Sequence, residues 1–172
     1  MFNLIVTTFR HMEGEAGSEI NSLLAEMGDT QPEINYTNVS GLLTAKTTLD
    51  PHQVIQNVKK IVQDEPWSIR YIQRLIPVET VVNTDINDIK DEVVKLASRI
   101  RKNETFRITV EKRYSNLASS DIIRNVADVI DRKVSLDTQD WIVLIEIIGE
   151  HTAVSVIRPD AIFSAVKTKR ES

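Results

Sequence analysis

The residues best suited to chemistry lie between positions 95 and 133, and the chemistry they suit is the binding of phosphate. Ten lysines and arginines fall there (95, 99, 101, 102, 107, 112, 113, 124, 132 and 133) against five acids (104, 111, 121, 128 and 131). The whole chain has a formal net charge of −4. A local cationic excess on an acidic chain points to a defined polyanion-facing site, because the rest of the surface repels such a partner. Lys112 and Arg113 close a strand-like run, ETFRITVEKRY, and enter the polar loop of Tyr114, Ser115 and Asn116. Ser119 or Ser120 then reads as the cap of a helix, with Asp121 suited to its positive end. Helix-start amides, two cations and polar side chains thus converge on one edge, as phosphate oxygens require. The competing reading is a plain surface turn.

Other cations are more ambiguous. A strand over residues 68–76 points Arg70, Ile72, Arg74 and Ile76 one way. That places the two arginines roughly 13 Å apart, able to bridge a short phosphate backbone or to serve as a solvated sheet face. Arg124 has Asp128 four residues on, and Asp128 also faces Arg132. Lys133 is explained equally well by a helix C-terminus. Tyr36, Trp67, Tyr71, Tyr114 and Trp141 are too dispersed for a base-stacking platform.

Catalytic equipment is not visible. There are no cysteines, hence no disulfide, thiolate nucleophile or cysteine metal ligand. His11, His52 and His151 are scattered, with no metal-ligand spacing. Gly14 to Gly17 is the nearest approach to a phosphate-binding loop, but Glu13, Glu15 and Glu19 oppose an anion there, so it reads as a flexible turn. No catalytic residue, cofactor or metal is expected.

These side chains need a scaffold, and the hydrophobic patterning supplies one. At 172 residues, 41% hydrophobic and 27% charged, the composition is that of a soluble globular protein. No apolar run reaches membrane-spanning length, and the start lacks a cationic leader, so a cytoplasmic protein with no membrane partner is expected. Residues 2–9 read as a strand, and Ile20, Leu23, Leu24 and Met27 as a helix stopped by Gly28. Short strands at 34–36 and 42–46 flank a turn from Asn38 to Gly41. Asp50 and Pro51 open a helix striped by Val54, Ile55, Val58, Ile61 and Val62. With the strand at 68–76, the order β-α-β-β-α-β is ferredoxin-like.

A second set follows. Thr84 and Asp85 cap a helix with Ile86, Ile89, Val93, Leu96, Ala97 and Ile100 inward. Phe106, Ile108 and Val110 alternate with Arg107, Thr109 and Glu111 on a strand. Residues 142–148 are almost continuously apolar, as in a strand covered on both faces. The expected class is α+β in α/β-like layers: a ferredoxin-like domain packed on a second domain with a mixed sheet. The boundaries are 1–66, 67–165 and a frayed tail at 166–172, the strand 68–76 being assignable to either domain. Residues 1–65 carry four basic and nine acidic groups, and residues 66–172 seventeen and sixteen, so the halves suit different partners.

In this order the pieces RYIQRLIPVE, ETFRITVEKRYSN, SSDIIRNVADVI and DRKVSLDTQDWIVLIEIIGEHTAVSVI resemble the THUMP domain. The resemblance covers roughly residues 67–160. One departure is Thr138 to Asp140, where the family often has an Asn-Pro-Asp turn. It implies RNA binding, chiefly to the acceptor region of tRNA, in service of base modification, and no DNA. Since the chain stops about a dozen residues after the resemblance, it looks like the stand-alone adaptor that helps an RNA cytidine acetyltransferase make 4-acetylcytidine. The alternatives are an RNA-binding subunit of a thiouridylase or methyltransferase, and a protein-interaction module without RNA. The resemblance places RNA contacts at Lys112, Arg113, Asn116, Ser119 and Ser120. To these the cation reading adds Arg70, Arg74, Arg124 and Lys133.

Overall fold

The computed structural model describes residues 1–171 and divides into two compact units, Met1–Val78 together with the segment from Asp160 onward, and Glu79–Pro159. In the first unit the chain runs β1 (Leu4–Thr8), α1 (Glu13–Glu26), β2 (Glu33–Tyr36), β3 (Leu42–Lys46), α2 (Pro51–Asp64) and β4 (Ile72–Pro77). Near the end of the chain the unit gains β10 (Phe163–Ser164) and α5 (Ala165–Glu171). Its sheet, β10-β4-β1-β3-β2, is antiparallel throughout. The inner four strands have the ferredoxin-like order, with β10 added on the outside.

Alternation builds the core. Leu4 and Val6 of β1, Leu43 and Ala45 of β3 and Leu75 of β4 meet Ile20 and Leu24 of α1 and Val54, Ile55, Val58 and Val62 of α2, all buried. Asp50 caps α2 by accepting from the His52 amide, with Pro51 in the first turn, where no donor is needed. Gly41 is required twice over: its φ is +76°, and a Cβ there would lie 2.6 Å from the Thr8 carbonyl oxygen.

Three expectations for this unit are corrected. The segment from Gly14 to Gly17 is not a loose turn, since α1 already begins at Glu13. The Glu13 carboxylate accepts from the Gly41 amide at 2.8 Å, and Gly17 leaves room for the Tyr36 ring over the helix. The last strand starts at Ile72 and not at residue 68. The amides of Arg70, Tyr71 and Ile72 donate to the Glu19 carboxylate at 2.8–3.0 Å, so a side chain takes the place of a neighbouring strand. The tail expected to fray is a helix through Glu171: Ala165 and Thr168 are buried, and Lys169 Nζ donates to the Ile69 carbonyl at 2.8 Å.

The second unit follows the order β5 (Thr80–Asn83), α3 (Ile86–Ala97), β6 (Thr105–Arg113), α4 (Ser119–Asp128), β7 (Lys133–Val134), β8 (Trp141–Ile148) and β9 (His151–Ile157). The sheet order is β5-β9-β8-β6-β7, with β6 parallel to both β7 and β8 and the remaining pairs antiparallel, a mixed sheet as expected. Phe106, Val143, Ile145, Ile147, Val154 and Val156 form the buried face of the sheet under Ile89 and Val93 of α3 and Ile122 and Val126 of α4. Asp85 caps α3 by accepting from the Asn87 and Asp88 amides. Residues 143–147 are all buried, so both faces of β8 are covered. Among the described residues no helix is long and apolar enough to cross a membrane.

Candidate nucleic-acid interface

Strand β6 sets the positions of the cations by simple alternation. In register with β8, Lys112 pairs with Ile147 on the helix-covered face, and Arg113 pairs with Ile148 on the other. Lys112 and Arg113 therefore point to opposite faces and do not form one patch. The exposed Lys112 donates to the Leu117 carbonyl at 2.9 Å, immediately before α4. Arg113 makes a 2.5 Å ion pair with Glu146, whose side chain is 1% exposed. That guanidinium is committed to neutralising a buried carboxylate.

The loop from Tyr114 to Ala118 is held by the Lys112 contact and by a hydrogen bond from the Leu117 amide to Ser115 Oγ, 3.2 Å. Its chain path makes Ala118 the N-cap, in an extended conformation, and no side chain caps α4. This corrects the expectation that Ser119 or Ser120 caps the helix. Both are already helical, at its first two positions. Lys112, the exposed Asn116 and Ser120, and the uncapped first turn of α4 thus share one end of β6.

The remaining candidates lie elsewhere. Lys133 is in β7, opposite Thr105, and not at a helix C-terminus; α4 ends at Asp128. Eight strand residues separate that register position from Arg113, about 26 Å. Arg124 pairs with Asp121, one turn earlier, and not with Asp128. Arg132 donates to the carbonyls of Ile100 and Asp131 and not to Asp128. Arg101, Lys102, Arg132 and Lys133 consequently form a second cationic end of β6, remote from Lys112. In the first unit, Arg70 is in the irregular segment before β4. Arg74 pairs with Thr7 on the face away from α1 and α2, while Ile72 is buried in the core under them. The two arginines are not a strand-borne pair.

Two further features escaped the sequence pattern. Tyr114 is 72% exposed with φ +57°, a conformation costly for an aromatic residue, beside a 450 Å³ depression lined by Asn83, Thr84, Ser115, Gly149 and Glu150. An aromatic residue directly after two cations was the available signal. Trp141, by contrast, is covered by the Arg158 guanidinium, 3.8 Å from the ring centroid, and Arg158 also bonds to Glu104 at 2.9 Å. Glu104 is held down to about pKa 2, chiefly by the Arg101 amide, with Trp141 and Arg158 adding to the effect.

The family model of the THUMP domain matches residues 83–157, which lie within the second unit. No curated protein matches the chain. Among solved structures, the chain is similar to PH1313 from Pyrococcus horikoshii (TM-score 0.71, 18% identity, 92% of this chain and 55% of that one). TrmN from Thermus thermophilus aligns with TM-score 0.59 and 14% identity over 93% of this chain and 47% of its own. A 4-thiouridine synthetase in complex with RNA and ATP aligns with TM-score 0.56 and 14% identity over 92% and 42%. The chain spans about half the length of these structures, and at such identities the likeness is one of fold.

Proposed function

We propose that this chain is a non-catalytic RNA-binding adaptor that holds the acceptor region of tRNA while a separate cytidine acetyltransferase forms 4-acetylcytidine. The observation that carries the reading is the uncapped start of α4 beside Lys112, inside the THUMP match. Helix-start amides and one exposed ammonium bind a phosphate without reading sequence. Asn116, Ser119 and Ser120 add hydroxyl and amide partners, and Tyr114 offers a ring for an unpaired base at the acceptor end. Tethering tRNA and enzyme through one adaptor raises their effective concentration without new catalytic groups.

A second reading, an RNA-binding part of a thiouridylase or methyltransferase, is favoured by the likeness to the 4-thiouridine synthetase and TrmN. Reconstitution separates the two. Transfer RNA is incubated with this chain and one purified enzyme at a time, each with its donor, and nucleosides are read by mass spectrometry. The adaptor reading predicts 4-acetylcytidine only when chain and acetyltransferase are both present. Thiouridine or a methylated base appearing only with this chain and the matching enzyme selects the second reading. Acetylation unchanged by omitting the chain removes the first.

A further inference from the structure

The helix layer of the first unit contains a groove of about 630 Å³ between α1 and the segment from Ile61 to Tyr71. Leu23, Ile61 and Tyr71 give it an apolar lining, and Glu15, Glu26 and Glu65 stand exposed along it. Glu19 is already engaged by the amides of residues 70–72. Among the described residues Glu15, Glu26 and Glu65 have no cationic partner, and no lysine or arginine lines the groove.

Local electrostatics are unfavourable here in a specific way. Glu26 occupies the last turn of α1, Glu65 is the C-cap of α2, and neither helix has a basic residue in its last turn. Carboxylates at two negative helix ends oppose the macrodipole, so the placement lowers the stability of the isolated unit. Such a violation of the helix rule is expected where a ligand relieves it. Trp67, 71% exposed in the adjoining loop, adds an aromatic face suited to a cation.

We propose that this groove docks an amphipathic helix of a partner protein, with leucine-like side chains toward Leu23, Ile61 and Tyr71 and lysines or arginines toward the three glutamates. Glu15 and Glu26 are eleven residues apart on α1, about 16 Å, so three turns of a partner helix span the carboxylates. The inference deepens the adaptor reading by giving the partner protein a surface distinct from the RNA-facing residues.

The probe is a synthetic 14-residue peptide with leucines on one helical face and lysines flanking it, compared with a scrambled peptide of the same composition. Binding to the full chain is followed by amide chemical shifts and by titration. The amphipathic peptide is expected to move amides of α1 and residues 61–71. It should bind at least tenfold more tightly than the scrambled peptide, and lose at least tenfold in affinity for the E15Q/E26Q/E65Q variant. Equal binding of both peptides, unchanged affinity for the variant, or shifts confined to other elements overturns the proposal. Transfer RNA binding is measured on the same variant. Retention with loss of peptide supports two separate surfaces. Absence of tRNA binding even by the unmodified chain sinks the RNA reading and leaves the groove result standing.

Discussion

Arg113, a candidate RNA contact by sequence, also has a part in holding the fold. Its charge answers the carboxylate of Glu146, buried to 1% exposure at 2.5 Å. Removing one partner of such a pair strands the other in a poorly solvated site. Arg113→Ala is expected to cost about 3 kcal/mol in urea unfolding, whereas the joint replacement Arg113→Met with Glu146→Leu should cost far less. Any loss of RNA affinity in an Arg113 variant must therefore be separated from loss of fold. Glu104 gives a pH signature. Its carboxyl is depressed from 4.5 to about 2 in the folded chain, so its contribution to stability is full above pH 4.5. That contribution is lost as pH falls toward 2. Glu104→Gln should flatten acid unfolding over this window, as followed by circular dichroism.

Elements set by hydrophobic period were legible in the sequence, and elements set by distant polar contacts were not. The stripe of α2 and the alternation of β6 each follow from spacing alone, and Phe106 lies in the core as its parity requires. Phe106→Ala is expected to lower stability by about 4 kcal/mol through the cavity it leaves. The start of β4 was misplaced because Glu19, more than fifty residues away, takes the amides that a strand would use. Glu19→Ala should accelerate hydrogen exchange at Arg70, Tyr71 and Ile72 while leaving the amides of β1 protected. The cap of α4 was misplaced for a related reason. Ser115 and Lys112 fix the loop, and the helix begins one residue before a serine can cap it. Helix α5 carries only Val166 as a large apolar residue, so periodicity gave no sign of it; Ala165, Thr168 and Lys169 secure it instead.

At the scale of the molecule, the contrast between an acidic first half and a basic second half disappears once the units are drawn as they fold. Lys167, Lys169 and Arg170 return to the first unit, which then holds nine basic and eleven acidic residues, and the second holds twelve and fourteen. Each is net −2, so RNA affinity rests on where a few cations stand and not on the charge of a domain. In the second unit Lys112 and Lys133 stand at opposite ends of β6, and the proposed phosphate contact lies at the Lys112 end. The direct test is the salt dependence of tRNA binding by the unmodified chain, Lys112→Ala and Lys133→Ala. On a plot of log affinity against log salt, Lys112→Ala is predicted to reduce the slope by about one and Lys133→Ala to leave it unchanged. A Lys112→Ala line that overlays the unmodified chain, with the slope falling in Lys133→Ala instead, would contradict the account.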